Sequence, residues 1–219
     1  MKANESIDET YLNIYELLYE RYGPQYWWPA DTPFEVVIGA ILVHHTNWAN
    51  VERSLEKLAP YLSDPETLAR LPEETLAKLI RSSGFYRVKA KRIRAFLRWF
   101  QQYDYEFQRV KKVHQENIRE ELLQIYGIGQ ETADVILLYV FHIPVFIADR
   151  YARTIFQRIG IHVPRTYDGL RKQVENHFPK DANLLNEFHA LLVTHGKTYC
   201  KKTPICDYCP LRTMCSRLV

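Results

Sequence analysis

The chain has 219 residues, 47% of them hydrophobic, with a formal net charge of +3 and a pI near 8.6; one large or two small domains can fold around a real core, and bulk charge permits an anionic partner without requiring one. No run of about 18 apolar residues is present to span a bilayer. The stretch MKANESIDETYLNIYELL mixes polar and apolar residues where a signal peptide would carry an apolar block, so a cytoplasmic globular protein is expected.

Period-3.6 patterning recurs from end to end and period-two alternation is scarce, which predicts an all-α protein. The predicted helices run 8–22, 33–45, 47–61, 64–70, 73–83, 87–103, 115–126, 130–141, 149–159, 167–178 and 183–198. Start signals support several of them. Thr32-Pro33-Phe34-Glu35 offers a cap, a proline at the first helical position and an acid, and Asp64-Pro65 and Pro72-Glu73-Glu74 repeat the theme. Gly23, Gly84 and Gly160 fit helix stops. The segment 34–43, FEVVIGAILV, is apolar all round, as a central helix should be. Lys89, Lys91, Arg92, Arg94 and Arg98 crowd one segment, and Arg109, Lys111 and Lys112 another. Such clusters are commonly solvated helix faces, with a modest lean toward nucleic acid. The 15 Tyr, 10 Phe and 4 Trp fill cores and also provide rings that can stack on bases.

Between two of these helices lies IYGIGQETADVILLY. Glycines at 127 and 129 allow positive φ and leave the backbone bare, so that consecutive N–H groups can form an anion nest at the start of a helix. Ile128 can bury between the two helices while Leu122, Leu123 and Ile125 pack one on the other. The order L-x-x-x-G-I-G-x-x-T-A from Leu123 to Ala133 resembles the helix-hairpin-helix of the endonuclease III superfamily of DNA glycosylases. That resemblance implies a helix-hairpin-helix glycosylase fold, with a six-helix barrel over 26–134 and an iron–sulfur cluster domain from 1–25 and 135–219. Double-stranded DNA with a damaged base would lie in the cleft between them, bound by a monomer. Gly127, Ile128, Gly129 and Thr132 would meet the DNA backbone. Asp149, in FIADRYARTI, matches the family's catalytic aspartate; by itself it also reads as a helix N-cap, and the two roles are compatible.

All four cysteines fall in CKKTPICDYCPLRTMC: Cys200, Cys206, Cys209 and Cys215. Thiols so close together suit one metal centre better than paired disulfides in a cytoplasmic protein, and a single C-x-x-C between wider gaps tilts from zinc toward iron and sulfur. The resemblance implies a 4Fe–4S cluster held by these four residues. The family's first gap is one residue longer than the five found here, a departure that bears on the first loop, where Lys201 and Lys202 are suited to touch phosphate.

Where bifunctional members carry a Schiff-base lysine, this chain has Glu131. A carboxylate cannot form an imine, so a monofunctional glycosylase is expected, with Asp149 as the catalytic carboxylate and Glu131 as a second. Lys89 and Lys197 are the lysines that would have to substitute in a lyase. The target base must leave the stack, and wedge residues of related enzymes match His44 and Phe85. Trp27, Trp28, Trp48 and His45 are the base-pocket candidates, and the Trp pair followed by H-H-T-N-W resembles helical 3-methyladenine glycosylases. Cationic alkylated purines suit aromatic walls through stacking and cation–π attraction. Ala40 stands where an adenine-mismatch glycosylase would want an acid. Two other readings remain open from sequence: an endonuclease III-like glycosylase and lyase acting on oxidised pyrimidines, and a DNA-damage-binding protein without catalysis.

Overall fold

The protein is represented by a computed structural model that describes residues 7–216; positions 1–6, the start of the polar N-terminal stretch, and 217–219 lie outside the described residues. The described chain is all-helical, with no strand. Its α-helices are α1 (Ile7–Tyr22), α2 (Pro33–Leu42), α3 (Trp48–Leu62), α4 (Pro65–Arg70), α5 (Glu73–Leu79) and α6 (Tyr86–Gln101). They continue as α7 (Phe107–His114), α8 (Ile118–Gln124), α9 (Gln130–Tyr139), α10 (Arg150–Ile159), α11 (Tyr167–Glu175) and α12 (Ala182–Thr198). None is long and apolar enough to cross a membrane. The chain divides into two compact units, Met1–Trp27 with His142–Val219, and Trp28–Phe141.

In the unit of Trp28–Phe141, α2 is the central helix and packs on α3, α6 and α9. Its start is written locally. The Thr32 hydroxyl accepts from Glu35 N at 3.1 Å, the Glu35 carboxylate accepts from Asp31 N at 3.0 Å, and Pro33 occupies the first turn. A cap of this kind stabilises by about 0.5–2 kcal/mol. Every residue from Val36 to Leu42 is buried, and each large side chain among them gains about 1.5–3 kcal/mol from leaving water. Phe34 stacks on Phe96 and Phe100 of α6.

The basic cluster on α6 is not one solvated face. Lys91 and Arg98 are exposed, whereas Arg94 donates to Leu71 O at 2.7 Å and Lys89 is buried. The sequence also hides α7. FQRVKKVH buries only Val110 fully, so its apolar stripe is too thin for periodicity to reveal among its charges. Gln115 then takes φ +46 and breaks the chain before α8, which shortens the helix expected over 115–126. Between α8 and α9, Asp134 is fully buried and its carboxylate receives Arg119 through Nε at 2.7 Å and Nη2 at 3.3 Å. Breaking such a buried pair from one side costs about 3–5 kcal/mol. The pair therefore clamps the two helices that carry the glycine turn.

In the other unit, α12 packs on α1 and α10 around Tyr11, Phe146, Phe156, Phe178 and Phe188. The helix α10 puts Ala152, Ile155, Phe156 and Ile159 inward, and ends at Gly160 with φ +106. The tail returns to that end, where Ser216 N donates to Ile159 O at 3.1 Å.

Candidate active site and nucleic-acid interface

The glycine turn joins α8 to α9. Gly127 adopts φ +85, and a Cβ there would overlap the Cγ of Arg92. Gly129, expected to share the positive φ, instead has φ −94 and ψ 178 as the N-cap of α9, with open space where a side chain would stand. Ile128 is buried and its N–H turns inward to Ile125 O at 3.0 Å. The run of outward N–H groups expected from sequence is thus interrupted at Ile128. What remains is a bare backbone at Gly129, the start of α9 with its positive dipole end, and the Arg92 side chain beneath Gly127. Arg92 Nε is buried and has no hydrogen-bond partner among the described residues.

Thr132, expected to touch DNA, is 2% exposed, and its hydroxyl is engaged by His44 Nε2 at 2.8 Å. This inward placement follows from helix geometry, which turns the third residue of α9 toward α2. His44 is consequently tied inward, and burial pushes its pKa down, helped by the nearby charges of Arg92, His45 and Lys89. The neighbouring His45 is exposed, with φ +57. Phe85, at φ +46 and 68% exposed, meets the His45 ring edge to face with centroids 6.0 Å apart. Left-handed backbone at two bulky residues costs about 1–2 kcal/mol each, and such strain concentrates where a protein must present a side chain. Glu131 lies half-buried in the first turn of α9, where its charge complements the helix dipole.

Two of the three pocket tryptophans meet within the unit of Trp28–Phe141. Trp28 meets Trp48 at 5.5 Å and Tyr139 at 5.3 Å, both edge to face. Gly39 gives these rings room, since a Cβ there would lie 3.4 Å from Trp28 Nε1 and 3.5 Å from Trp48 Cη2. Gly39 and Tyr139 carried no signal in the sequence, because one reads as a small residue in an apolar helix and the other as core.

Trp27 belongs to the other unit and meets His189 edge to face at 5.8 Å, with the Lys197 ammonium 5.6 Å over its ring. His189 in turn approaches Asp149, with Nε2 3.9 Å from Oδ2. Burial drives the His189 pKa down to about 3, so the imidazole beside Asp149 is neutral near pH 7. Asp149 caps α10 as its sequence suggested, with Oδ1 accepting from Ala152 N at 2.8 Å, and is 7% exposed. Asp149 is thus a buried carboxyl oriented by a backbone donor, with an imidazole beside it. His189 was missed by sequence reasoning because a histidine inside the helical pattern of α12 is indistinguishable from a core residue.

The four cysteines are half-buried. Burial raises the Cys209 thiol pKa, a backbone hydrogen bond from Leu211 opposes the shift, and the nearby thiols of Cys215, Cys200 and Cys206 add to it. The Cys200 thiol is likewise pushed up by burial, while Arg158 Nη1, 3.3 Å from its sulfur, opposes the shift. Arg158 also donates to the carbonyls of Cys200 and Lys201 at 3.0 and 2.7 Å, bracing the shortened first loop. Lys201 and Lys202 are exposed on that loop. His195, buried and with its pKa lowered to about 4, joins Tyr22 Oη at 3.1 Å to Cys209 Sγ at 3.6 Å. No set of three or more His, Cys, Asp or Glu side chains among the described residues stands in metal-ligating geometry. Cysteine thiolates are in chemical type the soft donors that iron–sulfur clusters use.

Comparison with known proteins bears on these arrangements. Residues 38–180 match the profile of the HhH-GPD superfamily base excision DNA repair proteins. A Methanocaldococcus jannaschii protein provisionally named a DNA repair glycosylase is 39% identical over 219 residues, covering 98% of this chain and 99% of that one. Endonuclease III of Thermotoga maritima is 31% identical over 186 residues, 84% of this chain and 82% of that one. The solved structure of Helicobacter pylori 3-methyladenine DNA glycosylase bound to 1,N6-ethenoadenine superposes with a TM-score of 0.74 at 28% identity, over 89% of this chain and 99% of the other. A trapped endonuclease III–DNA covalent intermediate shares the fold, with a TM-score of 0.83 at 22% identity over 97% of each chain. With a glycine turn between paired helices, a capping aspartate after it and a tail of four cysteines, this chain belongs to the HhH-GPD superfamily of base excision repair DNA glycosylases.

Proposed function

We propose that this protein is a monofunctional glycosylase that hydrolyses the N-glycosidic bond of a flipped alkylated purine, such as 3-methyladenine, in duplex DNA. The observation that carries the reading is Glu131 in the first turn of α9, where an imine-forming lysine would stand in a lyase. Lys89, one of the two lysines that would have to substitute, supports it, because it is buried with its ammonium bound to two carbonyls. The edge-to-face set of Trp28, Trp48 and Tyr139 supports a cationic, electron-poor base, which gains most from aromatic faces. Such a base already has a weakened bond, so Asp149 has only to stabilise the oxocarbenium-like state and orient water, with little demand for a general acid.

In this reading the exposed pair His45 and Phe85 fills the gap left by the flipped base, His44 braces the turn from within, and Arg92, Gly127 and Gly129 meet phosphate. Cys200, Cys206, Cys209 and Cys215 hold a 4Fe–4S cluster, which when bound supplies a cross-link that orders the loop carrying Lys201 and Lys202. The enzyme acts as a monomer on DNA in the cytoplasm. Iron and acid-labile sulfide analysis of anaerobically purified protein tests the cluster: about four of each per chain is expected, and a zinc-only content would overturn it.

A second reading has one observation in its favour, since Lys197 belongs to the same cluster of side chains as Asp149 through Trp27 and His189. Borohydride separates the two, because only an imine is captured. Incubation with methylated duplex is expected to release free 3-methyladenine, resolved by chromatography, with no protein–DNA adduct on adding borohydride. An adduct that disappears in Lys197→Met would instead establish lyase chemistry.

A further inference from the structure

Lys89 is a buried lysine that the glycosylase chemistry leaves unused. It is 2% exposed, and its ammonium donates to Leu42 O at 2.8 Å and to Ser83 O at 2.5 Å. Those carbonyls have a particular place in the chain. Leu42 ends α2, just before the turn that presents His45, and Ser83 ends a 3₁₀ turn (Arg81–Ser83) just before Gly84 and Phe85. One ammonium therefore joins the roots of both turns, while at their tips the His45 and Phe85 rings touch and both backbones are left-handed. The carbonyls at the end of a helix are its negative pole and lack partners within it, so a cation is the natural group to satisfy them. Burial, reinforced by Arg92, pushes the Lys89 pKa down to about 8, the cost of withdrawing this charge from water. A cost accepted at a position where an apolar side chain would fill the space asks for a return. Locking two strained turns into one register provides it.

We propose that Lys89 is a positioning residue that fixes the His45 and Phe85 turns as one rigid projecting pair, so that DNA distortion depends on it while general DNA affinity does not. The inference rests on the reading of that pair as the element that enters the DNA stack; it is independent of which base is removed.

The experiment uses a duplex with 2-aminopurine beside an abasic site, whose fluorescence rises when the neighbouring stack opens, together with affinity for undamaged duplex measured on the same samples. Lys89→Met strands two buried carbonyls, a penalty equivalent to about 30-fold or more in the population of the projecting conformation. A fluorescence rise cut to that extent, with undamaged-duplex affinity unchanged, is the expected result, and Lys89→Arg should restore part of the rise. A full rise in Lys89→Met, or a loss of affinity in step with the rise, overturns the proposal. Should Lys89→Met not fold, His45→Ala, Phe85→Ala and their combination decide the matter in the native background. Locked turns make either single loss as large as the double one, and additive losses overturn the proposal. Base release is read separately, so failure of this inference leaves the glycosylase reading intact, and the reverse also holds.

Discussion

Asp149→Asn is expected to reduce single-turnover base release by about 10²–10⁴-fold, the range of a lost catalytic carboxylate, while leaving the melting temperature nearly unchanged. The separation is possible because the residue does two things with different atoms. Its Oδ1 caps α10 by accepting from Ala152 N, and asparagine is as good a cap as aspartate. The negative charge, in contrast, has no substitute in asparagine. The buried neighbour His189 is neutral near pH 7 and cannot serve as a replacement cation or anion. Asp149→Ala should remove both functions, adding a stability loss of about 0.5–2 kcal/mol to the catalytic defect. Full base release by Asp149→Asn would reduce Asp149 to a cap and return attention to Glu131.

The second large effect is expected at the glycine turn, where two glycines of the same motif should behave differently. Gly127→Ala places a side chain at φ +85, costing about 1–2 kcal/mol from backbone strain alone. Its Cβ also overlaps the Arg92 stem close to the backbone of α6, where the chain has little freedom to yield; overpacking of this kind typically costs about 1–3 kcal/mol. Urea denaturation should register the sum, and affinity for duplex DNA should fall with the displaced Arg92 and turn. Gly129→Ala meets open space at φ −94, so its fold should hold to within about 1 kcal/mol, the difference between glycine and alanine at an N-cap. A new methyl at the approach of a phosphate should still weaken DNA binding. If Gly129→Ala left duplex affinity untouched, the backbone at Gly129 would not be a phosphate contact.

Some of this was legible in the sequence for local reasons. Thr32, Pro33 and Glu35 announce α2 because capping is a contact between residues three apart, and Asp149 announces α10 in the same way. The glycine turn was legible because Gly127 is demanded by a backbone angle that other residues adopt only with strain. The helix α7 was not, since its burial rests on Val110 and its charges conceal the period.

The histidines at 44 and 45 show where local reasoning ends. Adjacent and chemically identical, they cannot be ranked by type or spacing, and the expectation put His44 outward as a wedge. Thr132 from a distant helix captures His44, and a left-handed backbone turns His45 out toward Phe85. The partners of Trp27 and Trp28 were hidden for a similar reason: His189 meets the one, Trp48 and Tyr139 the other.

What the sequence determined by itself was therefore the helical class, the family motif, the close spacing of the four cysteines and the carboxylate at 131, all of which reside in residue type and short spacing. Tertiary structure alone decided which way each of those side chains faces. It buried Lys89 between two carbonyls, drew Thr132 inward, and brought His189 beside Asp149. The physical reason is that burial and hydrogen-bond partnership are set by residues tens of positions away. No short window of sequence contains both halves of the Lys89–Leu42, His44–Thr132 or His189–Asp149 contacts.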